Sequence, residues 1–80
     1  MKQYTSSAVV DAVQWTGNNL DKVYTLVPSV KPAANNRLFM VINYLPRYAA
    51  INDYIIRHSN GKIDIRNSDV FANIYTEVLE

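Results

Sequence analysis

His58 is the one histidine in the chain, and a general base or metal site would have to be built on it. A hairpin folded around it would bring Asp53 and Asp64 near, yet no nucleophile, oxyanion donor or metal-ligand motif accompanies it. The residue therefore reads as a half-exposed hairpin side chain. The serines and threonines lie in no nucleophile elbow, and Gly17 and Gly61 cannot make a phosphate-cradling glycine loop. The seven acids are scattered, and the absence of cysteine removes both disulfides and thiolate metal sites. No catalytic residue, metal ligand or cofactor site is expected, and the chain reads as a non-enzyme.

A different kind of chemistry is concentrated in Asn43-Tyr44-Leu45-Pro46-Arg47-Tyr48. Tyrosine and arginine are enriched at binding hot spots, and proline lowers the ordering cost of a connection on contact. Tyr44, Leu45, Arg47 and Tyr48 are accordingly the candidate partner-binding residues, on a proline-stiffened connection. The competing expectation is that Tyr44 ends a core strand and Arg47 is merely solvated. A second possibility uses Arg37, Arg47, Arg57 and Arg66 to track phosphates, with tyrosines stacking on bases. Asp53, Asp64 and Asp69 interleave with those arginines, which favours a charge-balanced face over a nucleic-acid track.

The elements that must position these residues are short. Ser7 to Trp15 is an extended segment with Val9, Val13 and Trp15 on one side and Val10 and Ala12 on the other, which suits a strand inside a sheet. Asp11 interrupts the first face and needs solvent or a partner. Leu20, Val23, Tyr24 and Val27 have helical spacing, predicting a main helix over about residues 18–27, capped by Asn18 and ended by Pro28. Ser29 to Arg37 has no hydrophobic period and reads as a loop, the most mobile stretch expected. Leu38 to Tyr44 is a nearly continuous apolar run, read as a doubly buried strand that Pro46 stops.

The strongest local signal lies in Tyr54 to Asn67. Asn60-Gly61 is the preferred pair for a two-residue type I′ turn, whose central residues both need φ > 0. That turn sets Arg57 opposite Asp64, Ile56 opposite Ile65 and Ile55 opposite Arg66, with Tyr54, Ile56, Ile63 and Ile65 on one face. Ser68 or Asn67 then caps a short helix near residues 68–73 that plugs Phe71 into the core, and Tyr75 to Leu79 returns as a last strand. The expected fold is α+β: one small antiparallel sheet of four to five strands, one main helix and one short helix, in a single domain spanning residues 1–80.

The 80-residue length is near the lower limit for independent folding, so self-association is one way to bury more apolar area. A net charge of +1 creates no long-range cationic field. The N-terminus lacks a signal-peptide run, and no apolar stretch approaches the ~20 residues of a membrane helix. A soluble protein with no membrane role is the expectation.

Ala12-Val13-Gln14-Trp15-Thr16-Gly17-Asn18, then Ile51-Asn52-Asp53-Tyr54-Ile55-Ile56, Gly61, and Ser68-Asp69-Val70-Phe71 with Tyr75 resemble a family of small phage and prophage proteins. In that family "AVQWTG" near the start is followed by a stretch like "PGDWII", a glycine turn and a "PDIF…YE" ending. This chain departs from the pattern with Asn52 for glycine, Tyr54 for tryptophan and Ser68 for proline. The family carries no agreed activity or catalytic residues. The resemblance implies a phage origin and a place in the host cytoplasm. It further implies a small accessory protein that binds and inhibits a host protein, anti-defence proteins included; the alternative is a binder or sequesterer of a nucleotide or nucleic acid.

Overall fold

The computed structural model describes residues 2–5 and 9–77, with the backbone alone for 2–5 and 76–77. In chain order the elements are β1 (Lys2–Thr5), β2 (Val9–Gln14), α1 (Leu20–Leu26), β3 (Lys31–Pro32), a 3-10 turn (Ala34–Asn36) and β4 (Leu38–Ile42). They continue with β5 (Leu45–Ala49), β6 (Tyr54–Arg57), β7 (Ile63–Arg66), α2 (Ser68–Ile74) and β8 (Thr76–Glu77). The class is α+β, as expected. One antiparallel sheet has five strands in the order β7-β6-β2-β1-β8, and a second has three in the order β3-β4-β5. The second sheet goes beyond the single sheet expected.

Both faces of β2 are apolar because both faces of the five-stranded sheet are covered. On one side Trp15, Ile55 and Ile65 pack with Val23 and Leu26 of α1 and with Leu38, Met40 and Ala49 of the smaller sheet. On the other, Val10, Ala12 and Ile56 pack with Phe71 of α2, whose ring stacks on Tyr54 at 3.8 Å and on Tyr75 at 4.9 Å. The chain thus forms layers, with the five-stranded sheet between α2 and a cap made of α1 and the smaller sheet. Asp11 finds its partner across the sheet, where Arg57 Nη2 donates to its Oδ2 at 3.1 Å.

The β6–β7 hairpin is present, but its register differs by one residue from the expected one. Ile55 faces Ile65, Ile56 faces Asp64 and Arg57 faces Ile63. The loop is longer than Asn60-Gly61 alone: Gly61 N donates to His58 O at 2.9 Å and His58 N to Lys62 O at 2.8 Å. Gly61 has φ of +86° while Asn60 is not left-handed, so a tight turn is followed by a glycine bulge, the arrangement favoured for three-residue hairpin loops. Asn60 Oδ1 accepts from Lys62 N at 3.0 Å and holds the loop. Consequently Arg57 pairs with Asp11, and Asp64 turns to Arg66 at 3.2 Å.

The main helix is shorter than residues 18–27. Asn19, rather than Asn18, sits at its N-terminus, where its side chain is occupied in the preceding turn: Nδ2 donates to Gln14 O and Oδ1 accepts from Thr16 N. Val23, Leu26 and Val27 are buried, whereas Tyr24 is exposed. Residues 29–37 are no plain loop, because they hold β3 and a 3-10 turn around the buried Val30. Trp15 Nε1 donates to Asn36 O at 2.6 Å, tying this segment to the core. The cap of α2 is Asn67, whose side chain accepts from Val70 N at 2.9 Å. Of the expected first and last strands, residues 7–8 and 78–79 lie outside the described residues.

Candidate functional site

β4 and β5 form a hairpin, so the proline-stiffened connection is itself a strand. Ile42 faces Leu45 across Asn43-Tyr44, which have φ of 53° and 66°. Two successive left-handed residues make a type I′ turn, the one the sequence placed at Asn60-Gly61. A side chain as bulky as tyrosine is rare in that conformation, which costs an L-residue roughly 1–2 kcal/mol. No compensating packing accompanies it, since Tyr44 is 98% exposed. Tyr44 therefore does not end a core strand; it stands out at the hairpin tip.

Pro46 does not stop the run, because β5 is an edge strand. The antiparallel ladder alternates outward from the turn-closing pair Ile42–Leu45, so the backbone groups of Pro46 and Tyr48 point away from β4. A missing N–H is tolerated there, and it takes one donor off the free edge. Leu45 is also held extended by the proline that follows it.

Alternation then sorts the side chains. Leu38, Met40 and Ala49 face the core, while Phe39, Val41, Pro46 and Tyr48 share the opposite, outer face with Lys31. β4 is thus buried on one face only: Val41 is 57% exposed. On the outer face the rings of Phe39 and Tyr48 meet at 5.4 Å, and the Arg37 guanidinium lies 5.1 Å from the Tyr48 ring centre. That contact adds roughly 0.5–1 kcal/mol at an exposed site.

The four candidate partner-binding residues do not share one face. Tyr48 lies on the outer face and Tyr44 at the tip. Leu45 and Arg47 project to the other side of β5, opposite Ile42 and Met40, and both are exposed. Phe39, Val41 and Pro46 complete the outer face and are the residues that sequence reasoning missed. Proline between two β-rich runs and asparagine at a two-residue turn were the signals available for them.

His58 and Asp64 come within 3.9 Å, beyond hydrogen-bond distance, while Asp53 is elsewhere, its Oδ2 accepting from Ala50 N. His58 lines an open pocket of about 400 Å³ with Val9, Val10, Asp11, Arg57 and Ser59. The charged pair in that pocket is already mutually satisfied. No hydrogen bond links the His58 side chain to Ser59 among the described residues, nor do three potential metal ligands converge there. Arg57 and Arg66 are held by carboxylates, leaving Arg37 and Arg47 without an ion pair among the described residues.

Fold and surface together define a small α+β protein with two antiparallel sheets, one of which presents an uncovered aromatic face. Compared with protein-family models, curated proteins and solved structures, the chain matches none. No helix among the described residues is long and apolar enough to cross a membrane.

Proposed function

We propose that this chain is a phage-encoded accessory protein that binds and inhibits a host protein, components of host defence included among the targets, through a surface and without catalysis. The observation that carries the reading is Tyr44: an aromatic ring held in a strained left-handed turn and 98% exposed has a cost in the free protein that a partner's pocket would offset. The outer face beside it supplies the surrounding apolar area, of the kind that marks interaction sites on soluble proteins. The resemblance to small phage proteins supplies the biological setting.

The test has two arms. Expressing the chain in a host that restricts a phage should restore plating, and Tyr44→Ala or Tyr48→Ala should remove the effect while the protein stays folded. Affinity capture from host lysate should recover a partner with the wild-type chain and not with these variants. Undiminished capture and plating by both variants would move the interaction elsewhere on the molecule.

A further inference from the structure

The charges of this chain are unevenly divided along its length. Residues 22–52, which include the whole three-stranded sheet, carry Lys22, Lys31, Arg37 and Arg47 and no aspartate or glutamate. The remainder carries four cations against seven acids, so the net charge of +1 conceals a basic segment of +4 and an acidic remainder of −3. Lys31 and Arg37 belong to the outer face, one paired across from Phe39 and the other lying over Tyr48. Resting on the reading of that face as a docking surface, we propose that its occupant is a protein whose apolar contact patch is rimmed by carboxylates.

Charge complementarity carries this choice, and the chemistry of the face separates it from the other occupants. A nucleic acid would be met by ring faces on which bases stack. Here one face of Tyr48 is taken by Arg37, Phe39 and Tyr48 are tilted at 56° to one another, and Val41 and Pro46 offer no π surface. Aliphatic side chains among aromatics, with cations at the margin, match a protein interface with an apolar centre and a polar rim. A second copy is a poorer fit, because the three aspartates nearest the sheets are committed, Asp11 to Arg57, Asp64 to Arg66 and Asp53 to the Ala50 amide, which leaves a second copy only its remaining four acids to set against the rim. Pro46 also removes a donor from the edge along which two copies of β5 would pair.

The experiment pans a random short-peptide display library against the immobilised full-length chain. Selected synthetic peptides are then titrated against wild type, Tyr48→Ala, Val41→Ser and the double variant Lys31→Glu/Arg37→Glu. The proposal expects apolar residues flanked by Asp or Glu, binding weakened at least about tenfold by the double variant, and affinity that falls as salt rises. Peptides that depend on Tyr48 and Val41 but lack acidic flanks, or that bind the double variant undiminished, overturn the acidic rim while leaving the docking face intact. Peptides indifferent to both Tyr48→Ala and Val41→Ser, or none enriched, overturn the face itself. Fluorescence anisotropy with oligothymidine overturns the choice of protein if binding appears and is lost in the double variant. Sedimentation showing self-association abolished by Val41→Arg overturns it in favour of a second copy.

Discussion

Replacing Tyr44 by glycine should make the protein more stable and less functional. The ring is 98% exposed, so its removal gives up no buried area, and φ of 66° is a conformation that glycine adopts freely. Relief of the left-handed strain contributes roughly 1–2 kcal/mol. The extra freedom of glycine in the unfolded chain takes back roughly 0.4–1 kcal/mol. The two ranges leave a net gain of about 0–1.6 kcal/mol, and its central value of about 0.8 kcal/mol raises the melting temperature of a chain of this size by about 3–6 °C. Thermal unfolding followed by circular dichroism reads this shift, and urea titration checks that the slope is unchanged. A lowered melting temperature would show that the ring stabilises the folded state, and the case for Tyr44 as a strained residue retained for binding would fail. Glycine beside Asn43 also recreates the pair favoured for type I′ turns, so the substitution tests the turn assignment as well.

Other substitutions probe the scaffold. Phe71→Ala removes a buried ring stacked between Tyr54 and Tyr75 and should cost about 3–5 kcal/mol by chemical denaturation. Asn67→Ala deletes the cap that accepts from Val70 N and should cost about 1 kcal/mol in the same assay, leaving the outer sheet face untouched. Gly61→Ala and Gly17→Ala both force alanine into positive φ, but a Cβ at Gly61 meets open space whereas one at Gly17 lies 3.3 Å from Ile51 Cδ1. The Gly17 variant should therefore have the lower melting temperature of the two. Asp11→Asn breaks a half-exposed ion pair and should cost no more than about 1 kcal/mol, a difference that added salt reduces.

The elements that sequence made legible are those with one dominant local cause. Apolar residues on both faces of the segment around Val10 and Ala12 marked β2 as an interior strand, the Asn67-Ser68 pair marked the start of α2 without choosing which of the two caps it, and Phe71 was readable as its core anchor. The β6–β7 register was not legible, for a reason visible in the packing. A one-residue slip usually moves apolar residues from core to solvent, but Ile55 and Ile56 are both buried, on opposite faces of a sheet covered on both sides. Apolar pattern could not choose between the registers, and Asn60-Gly61 serves a two-residue or a three-residue loop equally well.

The candidate site was legible in place but not in shape. Tyr44 to Tyr48 was marked by residue type, while its division between tip, outer face and core-side edge depends on a turn at Asn43-Tyr44 that the uninterrupted apolar run from Leu38 obscured. Pro46 read as a stop signal because a proline interrupts an interior strand; only the strand order shows that β5 lies at an edge. Asn52 illustrates the converse. Its φ of 78° at the bend entering β6, closed by Asp53 N donating to Ala50 O, is a conformation that glycine adopts freely and asparagine tolerates, so a turn forms there without the glycine that usually signals one.

Site-specific photo-cross-linking tests the central claim most directly. A benzophenone amino acid in place of Tyr48, on the outer sheet face, and another in place of Tyr24, on the exposed side of α1, are compared in the presence of host lysate. Binding through the uncovered face predicts a discrete covalent adduct from position 48, suppressed by adding Val41→Ser, and none from position 24. An adduct from position 24 alone would contradict it.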